Sequence, residues 1–182
     1  MSNQYRSEKL PAGSPFPDIQ ATLPGGQQVK LADISPGYDW KMLVVYRGQH
    51  CPMCTRYLRQ LEGARAALAS IGVDILAISA DGEAQLQGHQ NELQVSYPIA
   101  YGLSPLQMKT LGLYVSEPRS AQETDHVFAE PGLFVINSDG RLQVVDISNN
   151  PFVRPDVDTL VNGLKWIKDP SNHYPIRGTH IL

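Results

Sequence analysis

Lys41-Met42-Leu43-Val44-Val45-Tyr46 runs through Arg47-Gly48-Gln49-His50 into Cys51-Pro52-Met53-Cys54, and this stretch decides the fold. Its first half is a near-continuous apolar run bounded by Gly37 and Gly48, the pattern of a strand covered on both faces. After the second cysteine, Tyr57, Leu58, Leu61, Ala64, Leu68 and Ile71 recur at helical spacing. Pro52 suits a first turn and Gly72 suits the position just past the end, which predicts a helix over 52–71. Val73-Asp74-Ile75-Leu76-Ala77-Ile78 then reads as a second buried strand. Strand, helix and strand in this order form a βαβ unit with parallel strands and a right-handed crossover.

Outward from this unit, the signals are those of a mixed sheet. Upstream, residues 16–33 alternate around Pro24-Gly25-Gly26 and predict a short hairpin at a sheet edge. Downstream, helices are expected at 83–93 and 105–111, with a short strand at 97–101 between them. Residues 113–130 are polar and aperiodic, long enough for a functional loop. Leu133-Phe134-Val135-Ile136 and Leu142-Gln143-Val144-Val145 flank Asn137-Ser138-Asp139-Gly140 as an antiparallel hairpin. A last helix opens at Pro155 and carries Val157, Leu160, Val161, Leu164 and Ile167 on one face. The expected fold class is therefore α/β, three layers, with a mixed central sheet, helices on both faces and an N-terminal hairpin. Residues 15–169 form the domain, preceded by a flexible segment at 1–14 and followed by a polar tail at 170–182.

Composition narrows the chemistry. A chain of 182 residues with 42% apolar content can bury one sizeable core. A net charge of −3 without a run of basic residues argues against nucleic acid as a partner. No apolar stretch approaches the roughly 18 residues needed to cross a bilayer, and the first residues contain no hydrophobic block resembling a secretion signal. No membrane contact and a cytoplasmic location are expected. The two cysteines lie three positions apart. A bridge over so short a loop constrains little unfolded-chain entropy, so their value lies in reactivity or metal binding.

A helix beginning at Pro52 places Cys51 at its positive end, where free backbone N–H groups favour thiolate over thiol. A second thiol one turn away can close a disulfide on the first. Cys51 is expected to be the more exposed sulfur and Cys54 the more buried. Arg47 brings a fixed charge that favours a thiolate, and His50 a group that exchanges protons near neutral pH. Cys51, Cys54, Arg47 and His50 are the candidate catalytic residues. Each has a plainer reading: inert buried thiols, a structural ion pair, a loop filler. A zinc site needs four ligands, and no second C-x-x-C or H-x-x-x-H is present. A soft-metal module, with Cys51, Cys54 and one histidine holding Cu(I), is the alternative from another functional class. His89, His126, His173 and His180 have no spacing that singles them out and read as surface or structural. Pro131 directly precedes a buried strand. A cis bond there would present the backbone of Glu130 to an extended substrate, making Glu130 and Pro131 candidate substrate-binding residues, whereas a strand-edge proline is the plainer reading. No cofactor is implied.

C-x-x-C after a buried strand in a βαβ pattern reads as a thioredoxin-like redox fold. Tyr46-Arg47-Gly48-Gln49-His50-Cys51-Pro52-Met53-Cys54 and Glu130-Pro131-Gly132-Leu133-Phe134-Val135-Ile136 together resemble the peroxiredoxin-like branch of the alkyl hydroperoxide reductase/thiol-specific antioxidant (AhpC/TSA) family. The similarity runs from about residue 15 to the last helix. It implies a thioredoxin-like fold and a cysteine-based antioxidant oxidoreductase that cycles a Cys51–Cys54 disulfide. Its substrates would be disulfides and, more slowly, hydroperoxides, its reductant a thiol protein or small thiol, and members often form homodimers. It also raises the cis reading of Pro131. The peroxiredoxin motif Pro-x-x-x-Thr-x-x-Cys puts the peroxide-attacking cysteine at Cys54, with Cys51 at the threonine position and Arg47 at the proline position. The arginine expected before the late strand falls at Pro131. The thioredoxin pattern instead makes Cys51 the attacking thiolate and Cys54 the resolving one, with Val45 where an acidic residue would stand. The two patterns give the same pair opposite roles.

Overall fold

The computed structural model describes residues 8–182; residues 1–7 of the expected N-terminal segment lie outside them. Along the chain come β1 (Gln20–Thr22), β2 (Gln28–Lys30), β3 (Trp40–Val45), α1 (Pro52–Ser70), β4 (Val73–Ile78) and α2 (Glu83–Leu93). They are followed by β5 (Ile99–Ala100), α3 (Pro105–Thr110), β6 (Val115–Ser116), β7 (Phe128–Ala129), β8 (Gly132–Ile136), β9 (Leu142–Ile147), α4 (Val157–Lys168) and a 3₁₀ turn, Pro170–Asn172. The main sheet has the order β5-β4-β3-β8-β9. β3 is its centre, parallel to β4 and antiparallel to β8. β1 and β2 pair as the expected hairpin, tied to the sheet edge by a single bridge from Thr22 to Tyr101. The aperiodic stretch 113–130 supplies β6 and β7, which pair antiparallel. Their strands are two residues each, too short for alternation to register.

Alternate residues of β3 serve two cores, as the two-residue period of a strand requires. Met42 and Val44 pack with Leu58, Leu61, Leu86 and Leu164, the buried sides of α1, α2 and α4. Leu43 and Val45 face the other way, onto Ile19, Leu31, Met108 and Phe134, beneath the hairpin and α3. Helices thus cover both faces. At the far edge Gly13 N–H donates to Leu142 O (2.8 Å) and Pro15 bridges Arg141, so β9 is flanked by the incoming chain.

One charged pair is buried between the central strands. Lys41 and Asp74 are register partners on β3 and β4, and Lys41 Nζ lies 2.8 Å from Asp74 Oδ2, with the side chains 5% and 8% exposed. Burial alone would raise the pKa of Asp74, but Lys41 and the Ser35 N–H and hydroxyl outweigh it and hold the carboxyl below its ordinary value. Lys41→Met strands that carboxylate and is expected to cost about 3–5 kcal/mol at neutral pH. A depressed carboxyl stabilises the native fold above its ordinary pKa of about 3.9 and loses that contribution as pH falls through the native value. The deficit of the variant should therefore narrow below about pH 4. Urea unfolding of both proteins at pH 7 and pH 3.5 measures this, and an equal deficit at both values would contradict it.

Candidate active site

β3 delivers the chain to the site and α1 carries it away. Between them Gly48 has φ +138, and a Cβ there would lie 2.5 Å from Asp81 Oδ1, so the turn depends on a residue without a side chain. Asp81, 1% exposed, accepts from Gln49 N–H through Oδ2 (2.7 Å) and lies 3.4 Å from His126 Nε2 through Oδ1. The loop is thereby fixed from beneath before it reaches the cysteines.

Cys51 is the N-cap of α1 and Pro52 opens the helix, as the sequence predicts. The Cys54 N–H donates to Cys51 Sγ at 3.3 Å, so sulfur fills the place a serine or aspartate oxygen usually takes. No acidic residue lies in the first turn, which leaves the positive end of the helix to the cysteine sulfur. Both cysteines are free. The Cys54 thiol hydrogen-bonds to Cys51, lowering the Cys51 pKa; burial opposes this, and the Cys54 N–H and Arg47 add to it, bringing Cys51 down to about 6. Burial pushes Cys54 the other way, reinforced by its hydrogen bond to Cys51 and countered by Arg154. Both shifts favour charge on Cys51 over Cys54.

Arg47 Nη1 reaches Cys51 Sγ at 3.9 Å. Its guanidinium lies 4.7 Å over Phe128 and pairs with Glu130 (3.3 Å) and Glu123 (3.8 Å). Ser116 Oγ–H donates to Glu130 Oε1 (2.7 Å), so β6, β7 and the segment between them, the aperiodic stretch of the sequence, position this arginine. His50 packs 4.6 Å from the same phenylalanine ring. Burial, then the Arg47 charge, lower its pKa to about 4, so it is neutral where a proton exchanger near pH 7 was expected.

Both sulfurs are buried, Cys51 at 2% exposed and Cys54 at 0%, in the order the sequence predicts. Two expectations at the entry to β8 change. Pro131 is not cis, since no cis peptide bond occurs among the described residues. Its carbonyl accepts from Ser148 N–H (3.0 Å), as a β8 entry residue paired toward β9 would. Glu130 N–H is taken by Tyr114 O (2.8 Å), and its carboxylate meets the site on Arg47. Among the described residues no group of three or more His, Cys, Asp and Glu side chains could hold a metal. The copper reading lacks its third ligand. His89 is buried against Thr55 Oγ1 (2.8 Å) and is structural; His126 lies beside Asp81.

Sequence reasoning missed Arg154. Its Nη2 donates to Cys54 Sγ at 2.7 Å and its Nη1 to Met53 O at 3.2 Å. Each sulfur therefore has its own guanidinium. Arg154 comes from the connection between β9 and α4, a hundred positions downstream of Cys54, and nothing in its neighbourhood, Pro151-Phe152-Val153-Arg154-Pro155, marks it. The usable signal was indirect: a buried thiol lacking the arginine expected at Pro131 needs a cation from elsewhere.

The profile of the AhpC/TSA family matches residues 12–145. The chain belongs to the AhpC/TSA family. An alkyl hydroperoxide reductase C of Ferdinandcohnia aciditolerans is 27% identical over 75% of this chain and 79% of its own. A putative peroxiredoxin of Synechocystis is also 27% identical, over 92% of this chain and 83% of its own. Among solved structures, a cysteine-to-serine mutant of peroxiredoxin 6 from Arenicola marina superposes with a TM-score of 0.74 at 17% identity, covering 89% of this chain and 75% of that one. AhpC of Mycobacterium tuberculosis superposes at 0.70 and 16% identity, covering 90% and 96%. This AhpC/TSA member thus has the thioredoxin-like fold and is a peroxiredoxin-like, thiol-dependent antioxidant enzyme. No helix among its described residues is long and apolar enough to cross a membrane.

Proposed function

We propose that the protein reduces hydroperoxides with Cys51 as the attacking thiolate and Cys54 as the resolving thiol, and that a dithiol protein or small thiol restores the pair. The observation that carries this reading is the convergence of the Cys54 N–H, the Cys54 thiol and Arg47 on one sulfur at a helix N-terminus, which favours charge on Cys51. In the first step Cys51 S⁻ attacks the terminal peroxide oxygen. The O–O bond breaks, an S–O bond forms, and the departing alkoxide takes the Cys54 proton. In the second step Cys54 S⁻ attacks the Cys51 sulfenic sulfur, expelling hydroxide, which leaves as water once protonated by solvent, and closing the disulfide. The external thiol then reduces that bond.

A polar cleft of about 510 Å³, lined by Gln49, His50, Gln85, Arg119 and Glu123, opens beside His50 and supports an approach by small hydrophilic peroxides on the Cys51 side. The test is a single turnover with one equivalent of hydrogen peroxide in the presence of a sulfenic-acid-trapping dione, followed by peptide mapping. In Cys54→Ser the label is expected on Cys51. A label on Cys54 in Cys51→Ser, formed as fast as the native protein consumes peroxide, would overturn the reading and return attack to the family's usual position.

A further inference from the structure

We propose that Arg154 is a catalytic residue of disulfide closure, holding Cys54 as a thiolate once Cys51 has been consumed by peroxide. This rests on the reading above and adds the group that drives its second step. The guanidinium touches the reacting atom, 2.7 Å from Cys54 Sγ, and two further contacts hold it there while a third braces the neighbouring residue. Nη1 donates to the carbonyl of Met53 (3.2 Å), the plane lies 5.0 Å over the Tyr57 ring, and Tyr57 O–H donates to Pro155 O (2.8 Å), bracing the next residue of the chain.

Its charge is also available. Arg47 is neutralised by Glu123 and Glu130, whereas Arg154 makes no carboxylate ion pair among the described residues, its hydrogen bonds running to a sulfur and a carbonyl. The two cations therefore suit different moments. In the resting pair burial keeps Cys54 protonated, helped by its hydrogen bond to Cys51 and by repulsion from the charge there. Attack on peroxide turns Cys51 into a neutral sulfenic acid and removes the last two effects. Burial then remains as the chief force against a Cys54 thiolate, and the adjacent guanidinium opposes it. Negative charge passes from Cys51 to Cys54 as the alkoxide leaves with the Cys54 proton. The Cys54 thiolate forms the S–S bond, the S–O bond breaks, and hydroxide departs.

The measurement is rapid-quench single turnover with hydrogen peroxide, resolving sulfenic acid at Cys51 from the disulfide by intact mass and peptide mapping, across pH 5–9. Arg154→Met keeps an unbranched side chain against Tyr57 but no charge. It is expected to slow closure about 10- to 100-fold, raise the midpoint of its pH profile and let Cys51 sulfenic acid accumulate. Arg154→Lys, which keeps the charge, is expected to recover part of the rate. Closure at the native rate and with the native midpoint in Arg154→Met would overturn the proposal. So would a variant in which peroxide attack slows and closure does not, since Arg154 would then serve the first step. If the Met variant fails to fold, Arg154→Gln, neutral but still able to donate to Met53 O, decides: a raised midpoint supports the proposal and an unchanged one defeats it. A sulfenic label on Cys54 rather than Cys51 would instead defeat the reading on which the proposal rests, so the two failures are distinct.

Discussion

Cys51→Ser is expected to lower the second-order rate of hydroperoxide reduction by about a thousandfold or more while leaving the fold intact. The rate loss follows from chemistry: a serine hydroxyl at neutral pH is neither ionised nor a nucleophile toward peroxide oxygen. The intact fold follows from position. Cys51 caps α1 by accepting from the Cys54 N–H, and serine is among the preferred caps at such a site. Peroxide consumption followed by stopped flow, with thermal melting in parallel, separates the two effects. Retention of a tenth of the native rate in a well-folded variant would mean that attack does not begin at Cys51.

Cys54→Ala is expected to fail in two separable ways. Without the second sulfur, Cys51 sulfenic acid has no internal partner, so it persists after one turnover and moves on to sulfinic acid in excess peroxide. Turnover with a dithiol reductant should fall by on the order of tenfold or more. The other effect is on acidity. The Cys54 thiol is the largest cause of the lowered Cys51 pKa, and alanine removes it while leaving the backbone N–H and Arg47. The Cys51 value should therefore rise from about 6 toward, though short of, the free-thiol value of about 8.5. A thiolate is lost as pH falls through its pKa, so the acid limb of the rate profile moves to higher pH in the variant. Attack near pH 6.5 should be roughly five- to tenfold slower while the alkaline plateau converges with the native one. Thiolate absorbance near 240 nm against pH reads the shift directly, and an unmoved midpoint would contradict the hydrogen-bond origin of the Cys51 acidity.

The framework was legible because local signals were strong. The β3–α1–β4 unit announces itself through unbroken apolar runs, a proline at N1 and a glycine at the helix end, and the later hairpin through its Asn-x-Asp-Gly turn. The parts that were not legible share a property: their partners are remote in sequence. β6 and β7 are two residues long, and Glu130 acts through a carboxylate aimed at Arg47. Pro131, read locally, suggested a cis turn; the ladder toward β9 has it trans, with its carbonyl engaged by Ser148 N–H. The lowered pKa of His50 has a like origin, since burial beside the Arg47 charge cannot be read from the residue itself.

By itself the amino-acid order determined an α/β chain with a sulfur at the start of a helix and a second sulfur one turn along, because helix capping and strand burial depend on neighbours a few positions apart. Only the tertiary structure decided how deeply each sulfur is buried and which cation stands beside each. Those choices depend on burial and on Arg47, Glu123, Glu130 and Arg154, drawn from separate elements into one small volume, where electrostatic energy is set by ångströms of distance rather than by positions in the chain.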